Sequence, residues 1–264
     1  MRKIIKHCRE WLIAFITLCA LIVIFSLPPI PQDPNYHHFA DVKTILGIPN
    51  FWNVLSNVAF GLVGLFGFLK FFRKEIAFPR ASYLVFCTGV FLVGIGSAYY
   101  HFVTTSQSLV WDRLPMTLAF MALFSMVVSD RISAKLGARI LWPLLLVGVA
   151  SVGYWYWSEL QGRGDLRAYA VIQFLPMILI PVILIVYPGK VMKSSFLWGT
   201  LGTYALAKVA EHYDLIIYSS GGILSGHSFK HLLAALAVLW VIMSFPTISH
   251  GKTSTVKSYP EQQV

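Results

Sequence analysis

Apolar stretches of about 20 residues, the length of helix that crosses a hydrocarbon core, recur along this chain. They fall at roughly 11–29, 51–72, 82–103, 110–129, 138–158, 168–187, 196–218 and 227–246. The chain is 57% hydrophobic and only 12% charged, against about 25% charged residues in soluble domains. The pattern predicts an all-α integral membrane protein, a seven-transmembrane helix bundle with an additional N-terminal transmembrane helix. The stretch at 196–218 is the least regular, because Lys208, Glu211, His212 and Asp214 interrupt it. The connections are short and hold no soluble domain. The expected division is an N-terminal cytoplasmic end and anchor at 1–30, a seven-helix domain at 31–248 and a disordered polar tail at 249–264. A cleaved signal peptide is the rival reading of the first stretch. No A-x-A-like site follows it, so an uncleaved anchor is expected.

The net charge of +10 is explained by orientation rather than by an acidic partner. With the N-terminus in the cytoplasm, the cytoplasmic segments hold 15 of the 21 basic residues, the bias expected of cytoplasmic loops. The six that break the bias are Lys43, Arg113, Arg163, Arg167, Lys208 and Lys230. Nucleic acid is not an expected partner, whereas the lipid bilayer is. Compact loops and the lack of a sorting signal suit a bacterial inner membrane, with both termini cytoplasmic. Cys8, Cys19 and Cys87 are scattered and odd in number, which gives neither a disulfide framework nor a CxxC metal motif.

Ionisable groups are costly at membrane depth, so they mark functional candidates. His227 and His231 are four apart in GHSFKHLL, and side chains at that spacing share one helix face. His101 ends another apolar stretch. The charge bias puts all three at the outer end of their helices, together with Asp112. Three protein ligands and an open position are the pattern of a catalytic zinc site. Ser97 lies one turn before His101 on the same face. Imidazoles without thiolates suit zinc and also admit iron; a haem is a weaker fit for two histidines on one turn. Taken singly, a membrane histidine is most simply a helix–helix hydrogen-bonding group.

Two further polar groups stand out. Lys208, Glu211, His212 and Asp214 read as an inter-helix ion-pair cluster, or as support for the histidines. Asn50, Asn53 and Asn57 recur at helical spacing and are expected to bond between helices. Asp33, Asn35 and Asp41 could join Asn50 around a hard cation such as calcium. His37 and His38 are placed in the outer loop without a role.

NFWNVLSN (Asn50 to Asn57), Ser97-x-x-x-His101, WDRLPM (Trp111 to Met116) and His227-x-x-x-His231 together resemble the alkaline ceramidase family. That family lies within a wider group of seven-helix membrane proteins that includes lipid hydrolases and the adiponectin and progestin receptors. The resemblance implies zinc ligands His101, His227 and His231, oxyanion stabilisation by Ser97 and water activation by Asp112. The implied reaction is hydrolysis of the amide of ceramide or a related N-acyl lipid to a sphingoid base and a fatty acid. Receptor-like lipid sensing and hydrolysis of another membrane lipid are the alternatives. The family's calcium site is not reproduced, since Asn50 stands where a glutamate would precede FWN. The extra first helix also departs from the family, and it puts the expected zinc toward the periplasmic side.

Overall fold

The computed structural model describes residues 2–73, 76 and 79–246, so the expected tail at 249–264 lies outside the described residues. The helices are α1 Arg2–Ser26, α2 Phe51–Leu55, α3 Val58–Phe72, α4 Arg80–Phe102, α5 Ser106–Arg131 and α6 Ala134–Leu160. They continue as α7 Arg167–Val186, α8 Ser194–His212, α9 Asp214–Gly221 and α10 Gly226–Met243. A 3-10 turn, Pro34–His37, lies between α1 and α2. Among the described residues there is no named β-strand, only an isolated bridge between Ile45 and Ile48.

Seven helical segments are long and apolar enough to cross a membrane: α1, the α2–α3 stretch, α4, α5, α6, α7 and α10. This is the expected all-helical membrane architecture. The exception is α8, which has the length but is not among the seven. Lys208 and Glu211 dilute its apolar character, and α8 packs along α10 instead. The stretch expected at 196–218 also breaks. Helix α8 stops at His212, and Asp214 opens α9. The Asp214 carboxylate accepts the backbone N–H of His227 at 2.7 Å and that of Ala40 at 2.9 Å. It therefore clamps two other segments at the break.

Capping sets where the site-bearing helices begin. Thr105 closes a capping box with Ser108 at the start of α5, satisfying donors that a helix N-terminus leaves open. Ser225 does the same for α10 through Ser228 N. The turn between α4 and α5 is thereby held to three residues, and His101 and Asp112 fall at the same end of the bundle. His227 lies in the first turn of α10, with His231 one turn on.

In lipid, helices associate by close packing of small residues more than by water exclusion. Two glycines bring backbones together beside the polar groups. A Cβ on Gly96 would collide with the Trp111 carbonyl oxygen on α5, and a Cβ on Gly226 with the Ala210 carbonyl oxygen on α8. Gly96 precedes Ser97, and Gly226 precedes His227. Gly96→Ala is expected to force α4 off α5 and destabilise the protein by about 1–3 kcal/mol, the usual range for overpacking. A thermal melt in detergent micelles checks this; an unchanged midpoint would refute the tight crossing.

Helix α1 stands at the edge of the bundle, against α7. Its exit is tied down at one end. Arg167 Nη1 donates to the Leu27 carbonyl at 2.6 Å, Leu166 N to the Ile30 carbonyl at 2.8 Å, and Gln32 N to Glu159 Oε1 at 2.7 Å. Arg167 is held in turn by Asp165, Nη2 to Oδ2 at 2.8 Å. The Arg167 guanidinium keeps the Asp165 carboxyl down at about 2. A carboxyl lowered in the fold adds stability that is complete above its unfolded pKa of about 3.9 and fades as pH falls toward its folded value. Asp165→Asn is therefore expected to be less stable by about 1 kcal/mol at pH 7. The gap should close between about pH 4 and pH 2. Melting curves of both proteins across that range test the sign.

Candidate metal centre and cavity

The three histidines meet. His101 at the end of α4 and His227 and His231 on α10 are buried, and one nitrogen from each lies within 4.8 Å of the others. Their ring centroids form a nearly equilateral triangle with sides of 4.9, 4.8 and 4.9 Å. Among the described residues no second group of three His, Cys, Asp or Glu side chains converges in this way. Phe39 covers the triangle, with its ring 4.6 Å from that of His101 and 4.7 Å from that of His227.

The hydrogen bonds assign the tautomer of His231. The Ser56 hydroxyl donates to the Asn53 carbonyl at 3.1 Å, so its oxygen accepts at 2.8 Å from His231 Nδ1–H. Nε2 of His231 is then a bare lone pair, and it faces Nε2 of His101 at 3.3 Å. Tetrahedral ligands at zinc–nitrogen distances of 2.0–2.1 Å sit about 3.4 Å apart. Nδ1 of His101 is buried without a partner, so no other bond claims that ring. Nε2 of His227 lies 3.2 Å from Lys230 Nζ. An ion held by the trio would displace that ammonium, and Lys230 keeps Glu211 Oε1 at 2.8 Å as its partner. The three nitrogens could hold a metal ion, and imidazole donors are compatible with zinc.

The surrounding polar network orients these rings. The Asn50 side chain donates to the His101 carbonyl at 2.9 Å. Asn53 Oδ1 accepts from Ser228 Oγ at 2.7 Å, joining α2 to the first turn of α10. These are the inter-helix bonds expected of the asparagines; Asn57 instead bonds chiefly within its own turn, to the Asn53 carbonyl at 2.7 Å. The break between α2 and α3 at Ser56 and Asn57 gives Ser56 its reach to His231. The Lys208–Glu211 pair, 2.6 Å apart, extends through Lys230 to His227. Glu211 and Lys230 form the inter-helix ion pair expected of that cluster, and Lys230 abuts a histidine of the trio. His212 is exposed and takes no part.

The four residues suggested for a hard cation have separate uses. Asp33 Oδ1 caps the 3-10 turn through Asn35 N at 2.8 Å, and Asn50 is on His101. Asp41 is fully buried, with Oδ1 on Lys43 N at 3.1 Å and Oδ2 without a partner. His37 ties the loop to the bundle, with Nδ1 2.9 Å from the Tyr100 hydroxyl and Nε2 3.2 Å from Ser106 Oγ. Burial there holds its pKa below the ordinary histidine value, and Arg113 adds to the shift.

Ser97, Asp112 and His231 line one cavity of about 420 Å³, a size typical of ligand pockets. Ser97 on α4 and Asp112 on α5 are neighbours in that cavity. From these residues the cavity runs toward the opposite end of the bundle, past Phe86, Leu123, Met177 and Val241. Ser97 to Phe86, Asp112 to Leu123 and His231 to Val241 each cover about 15 Å of helix. One end is thus polar and beside the trio, and the remainder is an apolar tube. Lys230, Ser56 and Phe39 were missed as site residues from sequence. Ser56 lay within NFWNVLSN, and Lys230 carried a signal as a basic residue on the wrong side of the charge bias.

No curated protein matches the chain significantly. The family model described as Ceramidase matches residues 43–262, a stretch that contains the trio, Ser97 and Asp112. A buried histidine trio at the head of an apolar cavity, carried within a match over most of the sequence, means that the chain belongs to the ceramidase family.

Proposed function

We propose that the protein is a zinc-dependent intramembrane amidase that hydrolyses ceramide or a related N-acyl lipid. The observation that carries this reading is the convergence of His101, His227 and His231, with His231 lining an apolar cavity together with Ser97 and Asp112. His101, His227 and His231 would hold the ion. Zinc at that position supplies Lewis acidity and makes water a nucleophile near neutral pH.

The chain's own residues do the rest. The apolar tube takes the acyl chain and brings the amide carbonyl up to Asp112 and Ser97. Asp112 takes a proton from the attacking water and returns it to the nitrogen as the carbon–nitrogen bond breaks. The Ser97 hydroxyl donates to the developing oxyanion. Phe39 and the buried α4–α5 crossing limit bulk water around the histidines. The charge bias orients the site toward the extracytoplasmic side, with both termini cytoplasmic and, on the loop character, a bacterial inner membrane as the setting. Residues 31–248 form the catalytic domain behind the anchor at 1–30.

Incubation of purified protein with a fluorescent ceramide, with zinc measured on the same sample, tests the proposal. Release of labelled fatty acid in proportion to bound zinc is expected. Stoichiometric binding of the lipid with no product would overturn the enzyme reading in favour of a sensor.

A further inference from the structure

Arg113 follows Asp112 on α5 and is only 5% exposed. Its guanidinium carbon lies 4.1 Å from the centre of the Trp155 ring, 4.8 Å from Tyr169 and 5.7 Å from Tyr36. The side chain lines the same cavity as Asp112. Nη2 donates to Gln32 Oε1 at 2.7 Å, while Nη1 is buried and has no acceptor. Among the described residues no carboxylate lies within ion-pairing distance of it; the acidic groups that do form pairs serve Arg131, Arg167, Lys208, Lys230 and His7.

Aromatic faces offset part of the penalty for burying a guanidinium, yet a buried charged N–H without an acceptor is costly. Asp112 acts on the cation from a distance, but the group that bonds it, the Gln32 amide, is neutral. A planar guanidinium with free donors matches carboxylate and phosphate oxygens. Its partners Gln32 and Tyr36 lie between α1 and α2, and Trp155 and Tyr169 lie at the adjoining ends of α6 and α7. The guanidinium therefore stands at the polar end of the cavity, away from the apolar tube. With the acyl chain in that tube, the amine half of the substrate faces Arg113.

We infer that Arg113 recognises an oxyanion, carboxylate or phosphate, carried on the amine half of the lipid close to the scissile amide. This rests on the hydrolase reading above and ranks N-acyl lipids with an anionic headgroup above neutral ones such as ceramide. Asp112 and Arg113 line the same cavity, so the anion and the amide share it.

Three probes with one acyl chain isolate the headgroup: N-dodecanoylethanolamine, N-dodecanoylglycine and the phosphate ester of N-dodecanoylethanolamine. Binding to the full-length protein in neutral detergent and kcat/KM for hydrolysis are both measured. The wild type should favour at least one anionic probe over the neutral one by about ten- to a hundredfold, the value of a charge-assisted contact; which anion is favoured identifies the source. Arg113→Gln should erase the preference, mainly through KM, and Arg113→Lys should restore part of it. Gln32→Glu places a carboxylate beside the guanidinium and should also collapse the ratio, without removing the buried cation. Equal binding of all three probes by the wild type, or a preference that survives both Arg113→Gln and Gln32→Glu, overturns the inference. Anion-selective binding without hydrolysis would uphold it and sink the amidase reading instead.

Discussion

His231→Ala is expected to empty the metal centre and stop lipid turnover together. The imidazole is 2% exposed, with Nδ1 fixed on Ser56 and Nε2 turned to His101. Removing it deletes one of three donors, and two histidines alone fall short of the three protein ligands of a catalytic site. Several kcal/mol of Lewis-acid stabilisation go with the ion, so turnover should fall by at least about a thousandfold. Metal analysis and fatty-acid release on the same preparation provide the check. The exposed His212 is the control, since His212→Ala should retain both metal and turnover. Undiminished hydrolysis by metal-free His231→Ala protein would rule out the proposed centre.

Asp112→Asn separates the two halves of the site. Asparagine keeps the shape of the side chain and can still accept from Ser97, so fold and metal content should be retained. It cannot take a proton from water, and general-base catalysis typically contributes about a hundred- to ten-thousandfold. The expected result is a loss of that size in kcat, with KM little changed. Loss of zinc along with activity would instead place Asp112 among the groups that hold the ion. Near-normal turnover would show that another group moves the proton.

Much of this architecture can be read from the residues before any coordinate is known. The apolar stretches define the helices, and the i, i+4 pair His227 and His231 defines one face. Charge bias brings His101 and Asp112 to the same end. None of these signals sets the rotation of a helix about its own axis, and that rotation decides which side chains touch. Ser56 reaches His231 because the helix breaks beside it. Lys230 meets Glu211 because α8 lies along α10. The residues that disobey the charge bias were the hidden clue. Lys43, Arg113, Arg167, Lys208 and Lys230 each have a defined partner in the fold. A cation on the wrong side of the bias stays there because something local holds it.

The match to the ceramidase family begins at residue 43, but the cavity does not. Ile30, Gln32, Asp33 and Tyr36 border it from upstream, and Gln32 holds Arg113. The rim near Arg113 is therefore shared between residues inside the matched stretch and residues upstream of it. Changes in the few residues after the first helix can redirect which lipids are admitted while every histidine stays in place.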